Sequence, residues 1–222
     1  MNLSPIFISL KIATITTFIT FFLGIFLAKT VVSIKNRHLK LLLDSIFTMP
    51  LVLPPTVVGF FLLYIFGVRG PVGKLFLEFW GIKIVFSWLA AVIASTVISF
   101  PLMYRSARAA FEQVDENLIF AGQTLGLSNW QIFWKILFPN ALPGILSGGV
   151  LSFARGIGEF GATAMIAGNI PGKTRTMPLA VYSAVAGGNM EEAYLYVGII
   201  LCISFIIIFA MNYFGGKNKR VK

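Results

Sequence analysis

Five apolar runs dictate what this chain can become. They lie roughly at residues 6–29, 44–66, 84–104, 141–166 and 193–214. Each is close to the ~20 residues that an α-helix needs to cross the hydrocarbon of a bilayer. Lipid offers a backbone N–H or C=O no hydrogen-bond partner, so a segment of this length spans as a helix. Of the 222 residues 57% are apolar and 12% charged, with a mean hydropathy of +0.87. A soluble domain of this size cannot hide so much apolar surface, so the lipid bilayer must solvate part of it. The expectation is an all-α integral membrane protein, a single transmembrane domain over residues 1–222 with five spans.

Charge placement orients the spans. A net charge of +10 on a soluble protein would point to nucleic acid. On a membrane chain, Lys and Arg collect in cytoplasmic loops beside anionic lipid instead, and no nucleic-acid partner is expected. Lys29, Lys35, Arg37, Lys40, Arg105, Arg108, Lys135, Lys217, Lys219, Arg220 and Lys222 fall on one side of a five-span chain. Arg69, Lys74, Lys83, Lys173 and Arg175 fall on the other. Eleven against five places the N-terminus outside and the C-terminus in the cytoplasm. The start, MNLSPIF, carries no basic side chain, and no small-x-small site follows the first run, so that run reads as a span and not a signal peptide. Lys11 lies near its end and can snorkel. The lone Cys202 has no partner for an internal disulfide.

Between Tyr104 and Pro139 the chain leaves the apolar phase for longer than a simple turn needs. This cytoplasmic loop, 105–140, is amphipathic and carries both charge signs. ENLIFAGQTL has helical apolar spacing, Gly126 ends that helix, and Ser128 caps a second one, NWQIFWKIL, which stops before Pro139. The result is a compact knob with a small-residue surface at Ala121 and Gly122. It suits a soluble partner. The competing reading is an amphipathic pair lying on the membrane, with Trp130 and Trp134 at headgroup level.

Two further features bear on function. Pro50, Pro54, Pro55 and Pro101 interrupt the second and third spans, and PLVLPP at 50–55 is either a kink that lines a path or one needed for packing. In the fourth span, Gly144, Gly148, Ser152 and Gly156 form a ridge for close helix contact. Arg155 and Glu159 are four residues apart. In an unbroken helix both fall within the small-residue face and away from lipid. Arg155 can then attract a passing anion, or the pair only fixes helix register. AGNIPGKT at 167–174 imitates a phosphate loop, with Ala167 in place of the first glycine. It lacks the preceding strand and follows a span, so nucleotide binding is not expected there. No cluster of metal-ligand type and no nucleophile–base set is visible, so neither a metal site nor catalysis is expected. The competing class is a secondary transporter or channel using Arg155 and Glu159 as an ion or proton relay. A single isolated pair and an elaborate cytoplasmic loop speak against it, and no internal repeat is evident for an inverted-repeat transporter.

The loop spacing, Ala121, Gly126, nine residues, Ile136 and Pro139, resembles the cytoplasmic coupling motif of ABC-transporter permeases, E-A-A-x3-G-x9-I-x-L-P. Phe120 replaces its Glu, Gly122 its second Ala and Phe138 its Leu. PLVLPPTVVGFFLLYIFGVRGPVG (50–73), VISFPLMYRSARAAFEQVDENL (97–118) and SFARGIGEFGATAMIAGNIPGKTRTMPLAVY (152–182) are similar to the permease subunit of bacterial molybdate ABC transporters. The resemblance implies a type I importer fold with short coupling helices, in the bacterial plasma membrane. It implies a homodimer, two cytoplasmic ATPase subunits that carry ATP-Mg, no cofactor on this chain, and an external binding protein delivering a tetrahedral oxyanion. Tungstate and sulfate permeases are close relatives. ATPase contact is implied for Ala121, Gly122, Leu125, Gly126, Ile136 and Pro139. The translocation path is implied for the second and fourth spans, with Pro54, Pro55, Gly148, Ser152, Arg155, Gly156 and Glu159 as candidates.

Overall fold

The computed structural model describes residues 2–216, with side chains to Met211. The basic tail used above for orientation, Lys217 to Lys222, lies outside the described residues. Helices run in the order α1 (Ser4–Val32), α2 (Arg37–Val52), α3 (Pro55–Phe66), α4 (Pro71–Trp80), α5 (Trp88–Glu112), α6 (Glu116–Thr124) and α7 (Asn129–Ile132). A π-helical turn, Phe133–Leu137, leads into α8 (Phe138–Ile157), followed by α9 (Gly161–Ala167), α10 (Met177–Ala186) and α11 (Met190–Gly216). Among the described residues four continuous helical stretches are long and apolar enough to span: Ser4–Val32, Trp88–Glu112, Asn129–Ile157 and Met190–Met211. A fifth candidate span is a bent pair, Arg37–Leu51 and Pro55–Phe66, turned by 107°, which meets the same criteria only when taken together.

The second apolar run is therefore two helices and not one kinked span. Leu53 is extended (φ −70°, ψ 138°), as a residue before proline prefers, and its N–H closes α2 on the Met49 carbonyl. Pro55 opens α3 in the first turn, where a missing N–H costs nothing. Pro50 and Pro101 stay inside α2 and α5. The fourth run also departs from expectation. Its helix begins at Asn129, because α7, the π turn and α8 are continuous, and it ends at Ile157 with Gly158 as C-cap. Residues 158–160 break it before α9, so the unbroken helix assumed for Arg155 and Glu159 does not exist.

The centre of the molecule is α1, α5 and α8, packed at glycine distance. A Cβ on Gly144 would lie 2.7 Å from Ala110 Cβ, and one on Gly148 2.6 Å from Ser106 Cβ. One on Gly156 would meet Ser95 Oγ at 3.1 Å, and one on Gly24 would meet Met103 Cγ at 2.7 Å. The ridge of α8 thus lies along α5, antiparallel to it. Buried hydroxyls tie the three helices where lipid could not satisfy them. Ser152 Oγ shares a 2.9 Å hydrogen bond with Thr20 Oγ1 and donates to the Ser99 carbonyl at 3.4 Å. Such small-residue seams let backbones approach in the absence of a hydrophobic driving force between helices.

Contacts define two ends. At one, Tyr196 donates to the Asn2 carbonyl (2.7 Å), the Met177 N–H donates to Ser9 Oγ (2.7 Å) and Lys11 Nζ sits 4.4 Å from the Trp88 ring centre. At the other, Lys29 at the close of α1 meets Phe133, and Lys40 of α2 meets Glu112 of α5. The helix α11 starts beside Asn2, and its Ala210 and Met211 share a groove with Phe21 and Leu142.

Candidate functional site

The knob between α5 and α8 is built by two local devices that its sequence spells out. α6 starts at Asp115, whose carboxylate accepts the Asn117 N–H (2.9 Å). It ends in a doubly bonded glycine turn: Leu127 N–H to Gly122 O (3.1 Å) and Gly126 N–H to Gln123 O (2.9 Å). Gly126 has φ +74°, a conformation that a side chain strains. α7 then opens with a reciprocal cap. Ser128 Oγ accepts the Gln131 N–H (3.3 Å), and Gln131 Oε1 accepts the Ser128 N–H (3.0 Å).

This geometry divides the six loop candidates into two groups. Ala121, Leu125 and Gly126 are exposed, Leu125 to 79%. Gly122 is buried: a Cβ there would lie 2.7 Å from Ile136 Cδ1 and 3.3 Å from Ile132 Cγ1. Its smallness lets α6 rest on α7 and the π turn, so it is not part of a surface offered to another molecule, and Ile136 is its inner partner. Phe120 and Leu118 of α6 are exposed as well. Pro139 is exposed in the first turn of α8 and does not end the helix before it, contrary to the sequence reading. The proline withdraws a donor next to the π turn, and Asn140 Nδ2 bonds the Ile136 carbonyl at 2.7 Å. Lys29, read from the sequence only as a loop charge, sits with its ammonium 3.7 Å from the Phe133 ring centre and ties α1 to this turn.

The second candidate region is a joint between two broken helices. A Cβ on Gly161 would touch Pro55 Cβ at 3.0 Å, and one on Gly59 would lie 2.8 Å from Ala162 Cα. The breaks at 53–54 and 158–160 therefore lie side by side. Glu159 is 2% exposed and bridges the second one. Its Oε1 accepts the Ala162 N–H (2.8 Å), and its Oε2 is 2.8 Å from Arg155 Nη1 in an ion pair that lacks hydrogen-bond alignment. Glu159 thus caps α9 while neutralising Arg155 in the last turn of α8, a role invisible in an unbroken-helix reading. The Arg155 side chain remains 31% exposed, on the flank of the ridge that Gly148, Ser152 and Gly156 bury. Pro54 is exposed and Pro55 half-buried.

The 167–174 loop folds on itself. The Ile170 carbonyl accepts the N–H groups of Lys173, Thr174 and Arg175, and Thr174 Oγ1 accepts the Ile170 N–H at 3.0 Å. The amides of Ile170, Lys173 and Thr174 are engaged within this turn.

Residues 20–220 match the family described as the binding-protein-dependent transport system inner membrane component. The chain belongs to that family. It is 45% identical over 192 residues to the molybdenum transport system permease protein ModB of Escherichia coli (strain K12), covering 86% of this chain and 83% of that protein. It is 39% identical over 222 residues to ModB of Haemophilus influenzae, covering 100% of this chain and 96% of that one. An inward-facing structure of the MetNI methionine ABC transporter superposes with a TM-score of 0.73 at 18% identity, over 96% of this chain and 94% of its own. The fold is the all-α architecture of type I ABC importer permeases, and the relatives of this permease are transport subunits.

Proposed function

We propose that this chain is the membrane permease of an ATP-driven molybdate importer, working by alternating access. The observation that carries the reading is the near full-length similarity to two permeases named for molybdenum transport. Two copies of the chain form the path, two cytoplasmic ATPase subunits carry ATP-Mg and do the hydrolysis, and an external binding protein delivers the oxyanion. The chain itself holds no cofactor. The exposed knob supports the ATPase assignment: Ala121, Leu125 and Gly126 supply the contact, and Gly122, Ile136 and Pro139 hold its shape. The Lys and Arg distribution supports an N-terminus outside and a knob in the cytoplasm.

The adjoining helix breaks at Pro54–Pro55 and 158–160 are the proposed gate. Broken helices are tolerated in a membrane where protein or water takes up the freed backbone groups. Arg155 is the proposed anion contact. A half-exposed guanidinium in a spanning helix needs a polar surrounding, since a charge facing lipid costs at least ~2.5–3.5 kcal/mol. Gly148, Ser152 and Gly156 hold α8 in place behind it. The test is uptake of radiolabelled molybdate into vesicles holding the reconstituted complex, with tungstate and sulfate as competitors. Strong competition by tungstate and weak competition by sulfate is the expected pattern. Sulfate uptake at the expense of molybdate would reassign the substrate.

A further inference from the structure

α2 is an oddly held helix. None of its residues is buried, and Leu41, Leu42, Ile46 and Met49 are all exposed. On its inner side Phe47 meets Phe100 and Tyr104 edge-on, with ring centres 5.8 and 5.3 Å apart. Leu43 packs against the same core, and an ionic cluster completes the hold. Lys40 Nζ lies 2.9 Å from Glu112 Oε1, Arg108 Nε lies 3.1 Å from the same oxygen, and Arg108 Nη1 pairs with Asp44 Oδ1. Tyr104 donates to that Asp44 oxygen at 3.2 Å. The cluster alternates two cations with two carboxylates, so it is neutral as a unit. Its charged side chains are 20–38% exposed. At that depth ion pairs fix geometry more than they add stability, because desolvation offsets much of the attraction.

Its position gives this clasp a role. Glu112 is the last residue of α5, and Asp115 caps α6 three residues later. Along the chain, a displacement of α6 therefore reaches α5 at Glu112. Across the clasp, α2 runs to Leu53 and the 107° bend, and α3 beyond it rests on α9 through Gly59. We propose that Lys40, Asp44, Arg108 and Glu112 are positioning residues that link the knob to the paired helix breaks, so that movement of α6 repositions α2 as a unit. This rests on the reading above, in which the knob receives an ATPase. Ion pairs suit such a link because they have discrete, directional arrangements, whereas the exposed apolar face of α2 specifies none.

The test uses the complete transporter in vesicles and reads molybdate imported per ATP hydrolysed. Asp44→Asn keeps the shape and removes the charge. It is expected to lower that ratio roughly fivefold while hydrolysis continues, and Lys40→Arg is expected to retain it. Amide exchange across residues 37–52 of the same complex should quicken roughly tenfold in Asp44→Asn, with residues 177–186 unchanged as a control. If Asp44→Asn fails to assemble, Glu112→Gln is measured in the same way. An unchanged ratio, including a parallel fall in uptake and hydrolysis, overturns the proposal. If the unmutated complex imports no molybdate with ATP, the importer reading fails by itself. The exchange measurement then decides the clasp, and unchanged exchange in α2 overturns it.

Discussion

Single residues in this protein are irreplaceable for different physical reasons: lack of space, backbone conformation or a buried charge. Gly148 has no room for a Cβ, since Ser106 Cβ would be 2.6 Å away. Gly148→Leu should separate α8 from α5 and cost about 1–3 kcal/mol or more, read as a lowered unfolding temperature of the detergent-purified protein. Gly126 is different in kind: nothing lies within 4 Å of its would-be Cβ, and the constraint is φ +74°. Gly126→Val should cost about 1–2 kcal/mol locally, insert normally, and reduce uptake more than hydrolysis in the reconstituted complex. At the joint, Glu159→Ala removes both the α9 cap and the partner of Arg155. A loss of about 1–3 kcal/mol is expected, again by thermal unfolding. Arg155→Gln strips the buried Glu159 carboxylate of its cation, so it should lower the unfolding temperature as well as weaken molybdate uptake. Unchanged uptake would reduce Arg155 to a helix-joint residue.

At the scale of elements, what was legible in the sequence is what local chemistry determines. The glycine turn at Gly126 and the Ser128 cap follow from backbone rules, and both appear where the residues place them. Ser128→Ala should cost about 1 kcal/mol and speed amide exchange across 129–132. The break at 158–160 was not legible, because ARGIGEFGATAM continues the apolar spacing and nothing in that spacing shows that the Glu159 carboxylate reaches forward to the Ala162 N–H. The continuity of α7 with α8 was hidden by Pro139, a usual stop signal that a π turn here accommodates. α5 outruns its apolar run by eight residues because Ala107, Ala110 and Phe111 still find a buried face against Ala28, Val31 and Phe133. Gly122 was read as outward because spacing cannot say which side of a two-helix knob is covered.

At the scale of the whole molecule, five candidate spans and two distinct ends follow from the connections, with Asn2 at one end and the knob at the other. The side of the membrane each end faces is a prediction of charge placement. In a Cys202→Ser background, Asn2→Cys should react with an impermeant thiol reagent added outside cells, and Ser128→Cys only after permeabilisation; the reverse pattern would invert the topology. Whether ATP drives transport is decided in vesicles that hold this chain, an ATPase and a binding protein. Radiolabelled molybdate should accumulate only with ATP inside the compartment that the knob faces, and Gly126→Val should sharply reduce the amount imported per ATP. Accumulation driven by an ion or proton gradient without ATP, unaffected by Gly126→Val, would contradict the account.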